Sequence, residues 1–138
     1  MSSSRHQARE AALGALYFWE VGRTEPARAI ETYFSEHRPA ASDAVRTFAT
    51  ELVLGTTAEL AEIDALIQQH TEHWRMERLA IVDRLILRMA AWELRHEADT
   101  APAVILDEAI KLARTFGSDD SVPFVNGVLD AIRKTLGR

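Results

Sequence analysis

The stretch Leu79–Leu94, LAIVDRLILRMAAWEL, decides how this chain folds. Leu79, Val82, Ile86, Met89 and Ala90 trace one helical face, and Ile81, Leu85, Trp92 and Leu94 cover much of the rest. A helix that is apolar nearly all round is buried on several sides. Nothing in the stretch alternates with period two, so a strand is not supported. Asp83, Arg84 and Arg88 interrupt the run, whereas a membrane span needs about 20 consecutive mostly apolar residues. The pattern predicts a central helix from about Met76 to Glu97, wrapped by the others.

The flanking sequence repeats the helical spacing. Ala8, Ala11, Ala12, Ala15, Leu16 and Trp19 make a stripe of small residues, which predicts a first helix from Ser4 to Val21 with a stop at Gly22. Pro26 suits the first turn of a second helix carrying Ala29, Ile30, Tyr33 and Phe34. Ser42 is a good N-cap for a run holding Val45, Phe48, Leu52, Leu60, Ile63 and Ile67, with a bend or break expected near Gly55. His70 to Arg75 reads as a connection, with Trp74 expected to pack back on the core. Pro102 opens a helix with Val104, Ile105, Ala109, Leu112 and Phe116, stopped by Gly117. Asp119, Asp120 and Ser121 are placed to cap the last helix, which holds Phe124, Val125, Val128, Leu129 and Ile132.

A length of 138 residues with 47% hydrophobic content suits one all-α domain spanning residues 1–138. The chain has no Cys, which excludes a disulfide framework, a thiolate nucleophile and a Cys-ligated zinc. His70 and His73 share a spacing of three, but no HExxH and no third ligand accompany them, so no metal is expected. There is no Gly-rich phosphate loop and no GxSxG, so neither a cofactor nor an enzyme is expected. MSSSRHQAREAAL lacks the apolar core of a secretory signal, which points to a cytoplasmic chain.

The formal net charge is −5, which disfavours nucleic acid as a partner of the whole surface. Its distribution is uneven. Arg5 and Arg9 precede any acid, and Arg133, Lys134 and Arg138 close the chain. Two short segments could meet RNA. One is the head of the first helix, with Arg5, His6, Gln7 and Arg9. The other is GSDDSVPFVNGVLD, which gathers Asp119, Asp120, Ser121, Phe124 and Asn126. Carboxylates accept from base N–H groups, amides read base edges and aromatics stack on unpaired bases. The same residues also read as an ordinary cap followed by a core phenylalanine.

Three stretches resemble the NusB family of transcription antitermination factors: QAREAALGALYFWE (7–20), VDRLILRMAAWEL (82–94) and LDEAIKLARTFGSDDSVPFVNGVLD (106–130). The last is the most specific, and residues 20–44 match only in helical character. The resemblance implies an all-α bundle of about seven helices in two packed halves. It implies binding of boxA, a single-stranded RNA element of ribosomal RNA leaders, together with NusE, a small-subunit ribosomal protein. Other Nus factors and RNA polymerase complete the expected assembly. Family motifs carry over to Arg5, His6, Gln7 and Arg9, and to Asp120, Ser121, Phe124 and Asn126, as RNA-binding positions. His6 and Gln7 depart from the family's more Arg-rich motif, and Pro123 stands where some members have a basic residue. The NusE-facing positions are Tyr17 and Asp83, with Asp83 expected at the exposed edge of its helix beside an exposed Leu87. NusB-like domains also precede RNA cytosine methyltransferases, but that reaction needs a Cys nucleophile, which is absent here. The alternative is a helical protein adaptor or homodimer with weak RNA binding.

Overall fold

The computed structural model describes residues 3–71 and 73–138, and among these it contains seven α-helices and no strand. Ser2, in the short polar lead at the start of the chain, lies outside the described residues. Chain contacts divide the fold into two compact units, Met1–Ala58 and Glu59–Arg138.

The first unit holds α1 (Ser3–Gly22), α2 (Pro26–His37) and α3 (Asp43–Ala58). Ala8, Ala11, Ala12, Ala15 and Leu16 are all buried, as the small-residue stripe predicts. Gly14 extends that stripe: a Cβ there would meet Tyr33 Cε1 of α2 at 2.1 Å. The stop of α1 differs from expectation. Arg23, not Gly22, takes the left-handed conformation (φ 52°), and Thr24 N–H returns to Trp19 C=O at 3.3 Å. This is the 6→1 bond of a Schellman ending, which fixes the left-handed residue one position later. Ser42 Oγ accepts from Val45 N–H at 3.3 Å and caps α3. Arg46 closes the preceding loop through the carbonyls of Arg38, Pro39 and Ala41.

The expected break at Gly55 is absent. α3 runs through it to Ala58, because Leu52, Val53 and Thr56 are buried around it. A helical glycine costs only about 0.5–1 kcal/mol, which packing of this kind overrides. The chain breaks at Glu59 instead (φ −114°, ψ 27°).

The second unit holds α4 (Leu60–Gln68), α5 (Ile81–His96), α6 (Pro102–Phe116) and α7 (Ser121–Thr135). α5 packs against α4, α6 and α7, and every residue from Leu85 to Leu94 is buried. The central-helix expectation holds, but its start differs. Met76–Arg78 form a separate 3-10 turn, and Leu79 and Ala80 are extended before the helix begins at Ile81. Buried Arg88 forms a two-pronged pair with Asp64 of α4, at 2.8 and 2.9 Å. Arg138 donates to the carbonyls of Leu94, Ala98 and Thr100, closing the end of α5. Arg133 and Lys134 pair with Asp130. The C-terminal cations are therefore paired with groups of the fold. Val104 and Phe116, expected in the core, are exposed.

Candidate nucleic-acid interface

The first candidate surface is the opening turn of α1. Arg5 is exposed, and its guanidinium carbon lies 3.7 Å from the centre of the buried Phe48 ring on α3. A guanidinium stacked on an aromatic face keeps its in-plane N–H groups turned outward. Gln7 is exposed beside it. His6 Nε2 sits 3.4 Å from Glu10, whose carboxylate also accepts from Arg38 at 3.1 Å. Arg9 departs from the expectation of a shared phosphate-facing pair: it is only 3% exposed, 5.4 Å from the Phe48 ring. Its position explains this. Arg9 lies three, four and seven residues before buried Ala12, Leu13 and Leu16, so it falls on the inward stripe.

The second surface is the turn between α6 and α7. Gly117 closes α6 with its N–H on Ala113 C=O at 2.9 Å. Ser121 is 1% exposed, and its Oγ accepts from Ser118 N–H at 2.9 Å. A Cβ on Gly117 would stand 2.4 Å from that oxygen. Glycine and serine thus interlock across the turn, and Ser121 is placed as a structural group, not as the outward RNA contact expected for it. Its inward position follows from spacing, since Ser121 precedes buried Val125, Val128, Leu129 and Ile132 by four, seven, eight and eleven. The acids differ from the expected caps too: Asp120 makes no capping hydrogen bond, and both Asp119 and Asp120 are exposed. Phe124 is half-buried and Asn126 exposed on the following turn of α7. The turn therefore presents two carboxylates, an aromatic ring and an amide from a fixed backbone.

A sequence model described as the NusB family matches residues 6–134. The chain belongs to the NusB family. It is 44% identical over 135 residues to the transcription antitermination protein NusB of Sorangium cellulosum, covering 98% of this chain and 95% of that one. It is likewise 44% identical over 138 residues to NusB of Solibacter usitatus, covering 97% and 91%. Among solved structures it resembles T. maritima NusB, with TM-score 0.87, 34% identity, and 94% and 90% coverage. It also resembles a chain in the crystal structure of antitermination factors NusB and NusE in complex with dsRNA, with TM-score 0.89, 27% identity, and 98% and 99% coverage.

The two partner-facing positions implied by the NusB family behave differently. Tyr17 is 42% exposed on α1 and lines a cleft of about 430 Å³ with Phe18, Val21, Arg28 and Thr32. Asp83 is not at an exposed edge: it is 8% exposed, and Leu87 one turn on is fully buried. Asp83 precedes buried Ile86, Leu87 and Ala90 by three, four and seven, which turns it inward. Its Oδ1 is enclosed and has no hydrogen-bond partner. Among the described residues no helix is long and apolar enough to cross a membrane, and no cluster of three His, Cys, Asp or Glu could hold a metal.

Sequence reasoning also missed Trp74. Expected on the core, it is 57% exposed, on a connection held by the side chain of Gln68. Its signal was an indole flanked by His73 and Arg75, with polar Thr71 and His70 three and four residues before it.

Proposed function

We propose that this chain acts as a NusB-type antitermination factor. It holds boxA-type single-stranded RNA of ribosomal RNA leaders together with NusE, within the assembly formed by other Nus factors and RNA polymerase. The observation that carries this reading is the turn before α7, where a Gly117–Ser121 interlock fixes exposed Asp119, Asp120 and Asn126 beside half-buried Phe124. Asp120 accepts from a base N–H, Phe124 stacks, and Asn126 reads a base edge. Arg5 meets phosphate, with His6 and Gln7 alongside. Arg9 and Ser121 support these surfaces from within. The role is binding without catalysis, in the cytoplasm, with residues 1–138 working as one RNA-binding domain.

NusE is the proposed protein partner of Tyr17 and Asp83. A chain of net charge −5 suits a basic ribosomal protein. Tyr17 offers the exposed contact, and the inward-turned Asp83 lends its charge from beneath the surface. The test is titration with a uridine-rich single-stranded RNA at several salt concentrations, with and without purified NusE. Binding that weakens with salt and tightens with NusE is expected. Binding indifferent to both overturns the proposal.

A second reading, a helical adaptor or homodimer that binds protein and little RNA, is favoured by the burial of Arg9 and by the cleft at exposed Tyr17 and Val21. Tight NusE binding or self-association without salt-dependent RNA binding supports it.

A further inference from the structure

Within the second unit, an open cleft of about 540 Å³ lies between the connection after α4 and the face of α7. Its lining includes Gln69, His73 and Trp74 on one side and Phe124, Gly127 and Val128 on the other. The volume falls within the roughly 300–1,000 Å³ typical of small-ligand pockets.

Two features of this cleft have no explanation inside the fold. The first is the Trp74 indole, more than half exposed on a backbone that is tightly held. The Gln68 amide donates to Thr71 C=O at 2.9 Å and to Thr71 Oγ1 at 3.0 Å, reaches the Trp74 carbonyl, and accepts from Met76 N–H at 3.2 Å. Trp74 N–H donates to Thr71 C=O at 2.8 Å, and buried Thr71 returns its hydroxyl to Ile67 C=O at 3.2 Å. The ring is therefore carried by a braced loop while its own faces meet solvent. A large apolar ring with a polar edge is usually covered by something.

The second is Gly127. It sits within α7, where glycine weakens a helix. A Cβ there would meet nothing within 4 Å, and its backbone is helical, so neither packing nor conformation requires glycine. Bare backbone beside an aromatic ring is the arrangement that lets a flat ligand approach closely. None of the described lining residues is acidic, on a chain whose net charge is negative. Amide and imidazole groups rim the cleft, suited to the polar edges of a base.

The geometry points to a site for one unpaired RNA base, stacked on Trp74 and lying against the uncovered backbone at Gly127. It deepens the RNA-binding reading and rests on it. Trp74 and Gly127 are the added contact residues, and Gln68 is a positioning residue for the ring.

The test uses the full chain with a short uridine-rich single-stranded RNA, and the same RNA as a duplex. Trp74→Ala should weaken binding of the single strand roughly 5- to 150-fold, the range for losing one base–aromatic stack, and leave the salt dependence unchanged because no phosphate contact is lost. Trp74→Phe should retain most of the affinity. The single strand should quench tryptophan fluorescence, the duplex should not, and the quenching should vanish in Trp74→Phe. Gly127→Leu should weaken binding while circular dichroism stays helical. Parental RNA affinity in Trp74→Ala and Gly127→Leu overturns the base site and leaves the wider reading standing. Quenching by NusE alone, and not by RNA, overturns it in favour of a protein surface. Failure of the parent chain to bind RNA, with or without NusE, overturns the wider reading and this site together.

Discussion

Replacing Gly117 by alanine tests whether the turn before α7 is held as described. The added Cβ would stand 2.4 Å from Ser121 Oγ, 2.7 Å from Ser121 Cβ and 2.7 Å from the Ala113 carbonyl oxygen. The carbonyl belongs to the last turn of α6, where it accepts the Gly117 N–H, so it cannot retreat without unwinding the helix. The backbone of Gly117 (φ −94°) suits any residue, so the clash is one of space. Ser121 must therefore move, and its Oγ leaves the Ser118 N–H it now holds at 2.9 Å. An unsatisfied donor costs about 1–3 kcal/mol, and overpacking a further 1–3 or so. Gly117 ends the helix, so alanine's helical preference returns little. With partial relief from the exposed turn, the expected loss is about 2–4 kcal/mol, read from urea unfolding by linear extrapolation. Ser121→Ala alone should cost about 1–2 kcal/mol, by analogy with the loss of a helix cap. The double variant should lose less than the sum by about 1 kcal/mol, because the hydroxyl is removed only once. A change under ~0.5 kcal/mol in Gly117→Ala, or strict additivity, refutes the interlock.

The two N-terminal arginines should separate. Arg5→Ala should lower the salt slope of RNA binding by about 0.7 with little change in stability, whereas Arg9→Ala should lower the melting temperature and leave the slope nearly unchanged; equal slope changes in both would place Arg9 on the RNA. Asp83→Asn preserves shape and removes the charge. It should leave the fold within about 1 kcal/mol of the parent and weaken NusE binding about tenfold, by calorimetric titration; unchanged affinity removes Asp83 from the partner surface. The His96 ring, 2.7 Å away, holds the Glu59 carboxyl below the usual carboxylate range, with Arg95 adding to it at 3.2 Å. A lowered folded value means that its stabilisation is present above the ordinary carboxylate range and is lost as pH falls through the lowered value. Melting followed from about pH 6 to about pH 3 should therefore show a shallower acid limb in Glu59→Gln, by less than about 1 kcal/mol for this partly exposed pair; superimposable limbs refute the assignment.

The seven helices were legible because apolar residues recur at three and four throughout, and Pro26, Ser42 and Pro102 mark starts that the structure keeps. Helix ends were less so. Gly55 and Gly22 are equally good punctuation in one dimension, but packing of Leu52 and Thr56 carried α3 past the first, and a return bond to Trp19 moved the left-handed residue beyond the second. At the site, exposed Arg5, Gln7, Asp120 and Asn126 stand where a polar surface reading puts them. Arg9, Asp83 and Ser121 do not, and they share one cause. Each lies on the same helical stripe as buried apolar residues three, four and seven positions on, or four, seven and eight. Polarity was weighed as a sign of exposure, and position on the stripe decided burial. Trp74 erred in the opposite direction, since its place depends on the Gln68 brace, whose partners three to eight residues away follow no helical period.

The stacking of Arg5 on Phe48 changes when disorder is given up. A free arginine side chain carries about 2 kcal/mol of rotamer entropy, and one already laid on a ring surrenders much of it during folding, before any RNA arrives. The ring thus acts on affinity without touching the ligand. Phe48→Leu keeps an apolar side chain in the core but takes away the flat face, setting the guanidinium loose. RNA binding should then fall several-fold with its salt slope intact, because the same number of phosphates is still met by a cation that must first be stilled.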